Sequence, residues 1–83
     1  MAKIPEITAG NLKRYVEQGL HPGQFLASVL ANNVFGAFEY ADDENRKAIG
    51  ELIAEIKKKP GGCWGSQERV SEWIRHRGME GIV

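Results

Sequence analysis

Apolar residues along this chain recur at helical spacing, and no useful run alternates in the manner of a strand. Leu12, Tyr15 and Val16 form one stripe, which predicts a first helix over residues 8–18, capped by Thr8 or Asn11 and stopped at Gly19. Leu20 is expected to pack as the chain turns. A second helix opens at Pro22, whose missing N–H needs no partner in a first turn, and places Phe25, Leu26, Val29 and Leu30 on one face. Its small residues Ala27, Ser28 and Ala31 leave room for a close neighbour. Asn33 caps a short third helix carrying Val34, Phe35, Ala37, Phe38 and Ala41. Gly36 inside it costs ~1 kcal/mol relative to alanine, which a close helix contact would explain.

Asp42 or Asp43 caps the fourth helix, where Ile49, Leu52, Ile53 and Ile56 follow the i, i+3, i+4, i+7 pattern. Acids at its start and Lys57, Lys58 and Lys59 at its end both suit the helix dipole, and Pro60-Gly61-Gly62 stops it. Ser66 caps a last helix with Val70, Trp73 and Ile74 inward and Arg77 following; Gly78 ends it, and Met79 to Val83 either fray or dock through Ile82 and Val83. The expected fold is all-α: a compact array of about five short helices without a sheet, one domain over residues 1–83, with 1–7 and 79–83 as candidate flexible tails. Helices this short need tertiary packing to persist.

Composition narrows the function classes. Eleven basic and eleven acidic residues cancel, which argues against a protein that coats nucleic acid through bulk charge. The single cysteine excludes an internal disulfide framework and a cysteine-rich zinc site. No apolar run approaches a membrane span and no signal peptide precedes the first polar residues, so a soluble domain of a reducing compartment is expected. Charge is nonetheless uneven: residues 39–56 carry a net −4 and residues 57–83 a net +3. Dipole complementation and solvated faces account for this; a cationic rim around the last helix is the alternative.

Catalytic constellations are absent from the pattern. A nucleophile needs a base within reach and a group to orient it. His21 and His76 both lie beside helix ends, and Cys63 reads as a structural thiol packed next to Trp64. No metal-ligand spacing is present, and Asp42, Asp43 and Glu44 read as a helix start. A helix-turn-helix fails on chemistry, because its second helix would present Val34 to Tyr40, apolar and acidic, where base reading wants Arg, Lys, Asn or Gln. The least ordinary stretch is Pro60 to Ser66. A phosphate at the Ser66 helix start, Arg69 one turn inside and a ring stacked on Trp64 would together hold a nucleotide. The alternative is a capped helix with Trp64 plugging the core. Asn32 and Asn33 likewise either satisfy backbone groups or present amides to a ligand.

Pro22-Gly23-Gln24-Phe25-Leu26, Val29-Leu30-Ala31-Asn32-Asn33, Ala41-Asp42-Asp43-Glu44-Asn45, Cys63-Trp64-Gly65-Ser66 and Trp73 together resemble a group of small proteins encoded by tailed phages and prophages. The likeness covers roughly residues 12 to 74. It departs from that pattern at Asn33, where an acid is usual, and at Tyr40, where an arginine is usual. The resemblance implies a phage accessory protein acting in the host bacterial cytoplasm. Small non-enzymatic phage proteins often counteract host defence, some as oligomers that sequester a nucleotide immune signal, others by binding a defence protein directly as anti-CRISPRs do. The expectation is therefore a non-enzymatic, homo-oligomeric binding protein without cofactor or metal. It takes up a nucleotide second messenger through Trp64, Ser66, Arg69, Asn32 and Asn33. Direct inhibition of a host or defence protein is the alternative, and an adaptor in phage DNA metabolism a weaker one.

Overall fold

Six α-helices and two single 3-10 turns follow one another in the computed structural model, which describes residues 3–81: α1 (Glu6–Gln18), α2 (Gln24–Leu30), α3 (Val34–Tyr40), α4 (Asp43–Lys47), α5 (Ile49–Lys57) and α6 (Gln67–Arg75), with 3-10 turns at Gly61–Cys63 and Gly78–Gly81. Among the described residues there is no strand, and the fold is all-α. The Cα radius of gyration, 11.7 Å, matches the ~12 Å expected of a folded chain this long.

One core joins the helices. Leu12, Tyr15 and Val16 of α1 meet Leu26 and Leu30 of α2, Leu52 and Ile56 of α5, and Cys63, Val70 and Trp73. Two polar atoms are carried into it with their partners. The buried Tyr15 hydroxyl donates to the Cys63 carbonyl at 2.6 Å, and Trp73 Nε1 donates to the carbonyls of Tyr15 and Val16 at 3.0 and 3.1 Å. The indole bonds serve two of the last four carbonyls of α1 and tie α6 to its end, while the Tyr15 bond ties α1 to the turn at Cys63.

α1 ends in the left-handed Gly19 (φ 69°) and meets the left-handed Gly78 (φ 62°) backbone to backbone. A Cβ built on Gly19 would lie 2.6 Å from the Gly78 nitrogen, and one on Gly78 would lie 2.6 Å from the Gly19 nitrogen. Gly36 makes another close approach: its Cβ would lie 2.5 Å from Asn33 Nδ2 and 2.9 Å from Ser28 Oγ, so α2 packs on α3 through a small residue that the pattern singled out.

Three caps stand where the spacing predicts them, with Asn33, Asp42 and Ser66 accepting from the N–H groups of Gly36, Asn45 and Arg69. Other expectations are corrected. α1 starts at Glu6, with Pro5 before it, so neither Thr8 nor Asn11 caps it; Thr8 is buried and donates its hydroxyl to Asn45 Oδ1. α2 starts at Gln24 after Gly23 (φ 93°), two residues beyond Pro22. The fourth helix is two, broken at the buried Ala48 (φ −99°, ψ 5°). Residues 43–47 hold no apolar side chain, so packing fixes only the part from Ile49 onward, while the Thr8–Asn45 bond draws α4 towards α1. α6 ends at Arg75, and Arg77 is left-handed (φ 67°). Leu20 is half exposed rather than packed. Gly78 and Met79 to Gly81 form a 3-10 turn against α1; Ile82 and Val83 lie outside the described residues.

Candidate functional site

A cleft of about 350 Å³ opens between α3 and α5. Leu30, Ala37 and Ile56 reach its floor from the core, while Val34 and Phe38 of α3 face Ile53 of α5 across it. Asn32, Asn33, Lys57, Trp64 and Gly65 also line it.

Local chain geometry sets these residues in place. Asn33 caps α3 through Oδ1 at 3.0 Å from the Gly36 nitrogen, while its own N–H donates to the Ser28 carbonyl. Asn32 takes the left-handed conformation (φ 62°), which asparagine tolerates better than most residues, and is exposed. The Gly65 N–H donates to the Leu30 carbonyl at 2.7 Å, which pins the loop to the end of α2. Trp64 is half buried, with Nε1 donating to the Lys59 carbonyl at 3.2 Å. Its polar edge is thus engaged by its own chain while its ring lines the cleft.

Ser66 and Arg69 do not join this group. They line a shallow face with Glu68, Glu72, Trp73 and His76. The Ser66 hydroxyl accepts the Arg69 N–H at 3.2 Å, and Arg69 Nη1 donates to the Gly61 and Trp64 carbonyls, both at 3.3 Å, which closes the loop before α6. On the same face Glu72 accepts from Arg75, and that hydrogen bond holds its carboxyl below the usual carboxylate range. The structure therefore divides the five candidates into two groups: Trp64 with Asn32 and Asn33, and Ser66 with Arg69. Lys57, read from the sequence as a dipole partner and as part of a cationic rim, and Phe38 and Ile53, read as core, line the cleft as well.

The titratable groups offer no activated nucleophile among those described. Burial pushes the Cys63 thiol up to about 11, the reverse of what thiolate chemistry needs. His21 is exposed and its Nδ1 accepts the Gly23 N–H at 3.1 Å; His76 stacks edge-on against Trp73, ring centres 5.1 Å apart. Burial also raises the Tyr15 phenol, with a smaller contribution from Cys63. Both groups hold their proton more tightly when folded than when unfolded. Stability is therefore complete below the ordinary thiol value of 9.0 and falls as pH rises from there towards about 11. The thiol alone is expected to cost about 2 kcal/mol by the top of that range. Urea midpoints taken between neutral pH and pH 11 should show the decline, and Cys63→Ala should make it shallower, leaving the part due to Tyr15 above pH 10.0; an equally steep fall in that variant would place the cause elsewhere.

Among the described residues, no helix is long and apolar enough to cross a membrane, and no group of three or more His, Cys, Asp or Glu side chains is placed to hold a metal ion. No family model, curated protein or solved structure matches the chain.

Proposed function

We propose that this protein is a non-enzymatic binding protein that captures a nucleotide-type signal in the α3–α5 cleft. The setting is the one its resemblance implies, a phage-encoded protein counteracting host defence in the bacterial cytoplasm. The supporting observation is that Trp64, Asn32, Asn33 and Lys57 all line one largely apolar cleft of about 350 Å³. Small-molecule sites have this character: apolar walls, a few polar groups that fix orientation, and volumes of about 300–1,000 Å³. A base would stack on Trp64, the asparagine amides would meet its polar edge, and Lys57 would take the phosphate charge in place of Arg69.

Calorimetry with cyclic dinucleotides and ADP-ribose-type compounds tests this. One of them is expected to bind, and Trp64→Ala is expected to weaken it tenfold or more, since base–aromatic stacking contributes ~1–3 kcal/mol. Lys57→Gln should weaken it less and reduce the salt dependence. A folded protein that gives no heat with any of these compounds would remove the reading.

A second reading, direct docking onto a defence protein, draws on the exposed apolar side chains of α3. A stoichiometric host protein pulled down from infected cells, and lost with changes in α3, would favour it. A DNA adaptor has less behind it, because α3 bears no Arg or Lys.

A further inference from the structure

Trp64 is fastened to the fold at three points. Its indole Nε1 donates to the Lys59 carbonyl at 3.2 Å. The N–H of the next residue, Gly65, donates to the Leu30 carbonyl at 2.7 Å. Its own carbonyl accepts from Arg69 Nη1 at 3.3 Å, and the same nitrogen donates to the Gly61 carbonyl, also at 3.3 Å. That nitrogen carries two N–H groups, one for each carbonyl. Among the described residues neither carbonyl accepts a backbone N–H, so the guanidinium is the partner that the turn itself lacks. We propose that Arg69 is a positioning residue for the cleft: it holds the loop before α6 so that the Trp64 ring stands in the cleft wall, and it touches no ligand itself. The proposal rests on the reading of Trp64 as the ring on which a base stacks.

Placement supports this role. Trp64 and Gly65 line the cleft, whereas Arg69 lies on the other face. Its guanidinium backs those two residues: a Cβ built on Gly65 would lie 3.0 Å from Arg69 Nη1. Gly65 has φ 114°, a backbone conformation open to glycine, so the loop is bare at this point and the arginine tip lies against it. The cation is also committed to backbone. Arg46, Lys58 and Arg75 form the ion pairs among the described residues, and Arg69 forms none of them. Its root is rigid as well. The Arg69 N–H is held by the Ser66 cap, and its neighbour Val70 is buried in the core with Trp73. A line of contacts thus runs from the core through Arg69 to the cleft wall. A ring held in place before a ligand arrives spares the ligand the cost of ordering the loop, so loss of the guanidinium lowers affinity from outside the site.

Arg69→Met keeps the aliphatic stem and removes the donors. Trp73 is 2% exposed, so acrylamide quenching of the native full chain reads Trp64. In Arg69→Met the quenching constant is expected to rise about twofold and the Gly65 amide to exchange about tenfold faster, while the Leu52 amide in α5 stays within about twofold of wild type. Arg69→Lys, whose ammonium still donates, should fall between. Arg75→Met, which removes the same charge from the same helix, should match wild type. Calorimetry with cyclic dinucleotides and ADP-ribose-type compounds separates positioning from phosphate contact: Arg69→Met is expected to weaken binding about tenfold at an unchanged salt dependence, whereas loss of a phosphate contact lowers that dependence. Quenching and Gly65 exchange equal to those of wild type overturn the proposal. So does equal acceleration at Leu52, the mark of a general loss of stability, and so does a reduced salt dependence. Quenching and exchange need no ligand, so failure of the nucleotide reading and failure of this assignment are separate results.

Discussion

Trp73→Ala is expected to remove about 3–5 kcal/mol of stability, as truncation of a buried large aromatic side chain does. A domain of this length holds about 4–12 kcal/mol in all, so much of the population should be unfolded at ambient temperature. The indole is 2% exposed, and its N–H serves two carbonyls at the end of α1. Two losses are therefore combined: the packed ring, and the donor on which the Val16 carbonyl depends. Trp73→Phe separates them by keeping most of the ring without the donor, and should cost about 1–3 kcal/mol. Urea unfolding followed by far-ultraviolet circular dichroism avoids the confounding loss of indole fluorescence. If Trp73→Ala stays within about 1 kcal/mol of the wild type, the junction between α1 and α6 does not depend on this side chain.

The next largest effect concerns two glycines. Gly78→Ala adds a methyl group whose carbon would lie 2.6 Å from the Gly19 nitrogen, 2.7 Å from the Val16 carbonyl oxygen and 3.1 Å from Trp73 Nε1, at φ 62°. The left-handed conformation alone costs ~1–2 kcal/mol, and the neighbouring backbone atoms cannot swing aside as a lysine tip would. A loss of about 3–4 kcal/mol is expected. Gly19→Ala should cost a similar amount, and the double variant less than the sum, because either methyl alone already parts the two turns. Gly50→Ala is the control: its Cβ meets nothing within 4 Å and it sits in exposed helix, so stability should rise by about 0.5–1 kcal/mol. Equal midpoints for Gly78→Ala and wild type would mean that the two turns do not touch as described.

What could be read in advance divides by range. Caps are local chemistry, a side-chain oxygen three residues from its N–H, and Asn33, Asp42 and Ser66 are legible for that reason. Gly36 is legible by its cost, which only close packing offsets, and Ser28 supplies the contact. Long-range events leave no such mark. Gly19 reads as an ordinary helix stop until Gly78 is brought against it, and Thr8 reads as a cap until Asn45 arrives. Periodicity shows that Phe35, Phe38 and Ile53 belong to helices, but not whether a neighbour covers them; α3 and α5 stand apart there and leave the recess. The same ignorance of direction joined Trp64 to Ser66 and Arg69, adjacent in sequence but on different faces. Lys57 was hidden by its two lysine neighbours, since a run of like residues does not show which one turns towards a recess.

The interruption at Ala48 carries its own consequence. It leaves α4 a five-residue turn with no buried side chain, fastened by the Asp42 cap and by Asn45 to α1. Ala48 and Ile49 anchor the chain directly beyond it. Strain or added length between Asp43 and Lys47 is thus absorbed before it reaches α5. This short charged segment is a natural port for grafting an epitope or a fluorescent tag, with the recess beside α3 left undisturbed.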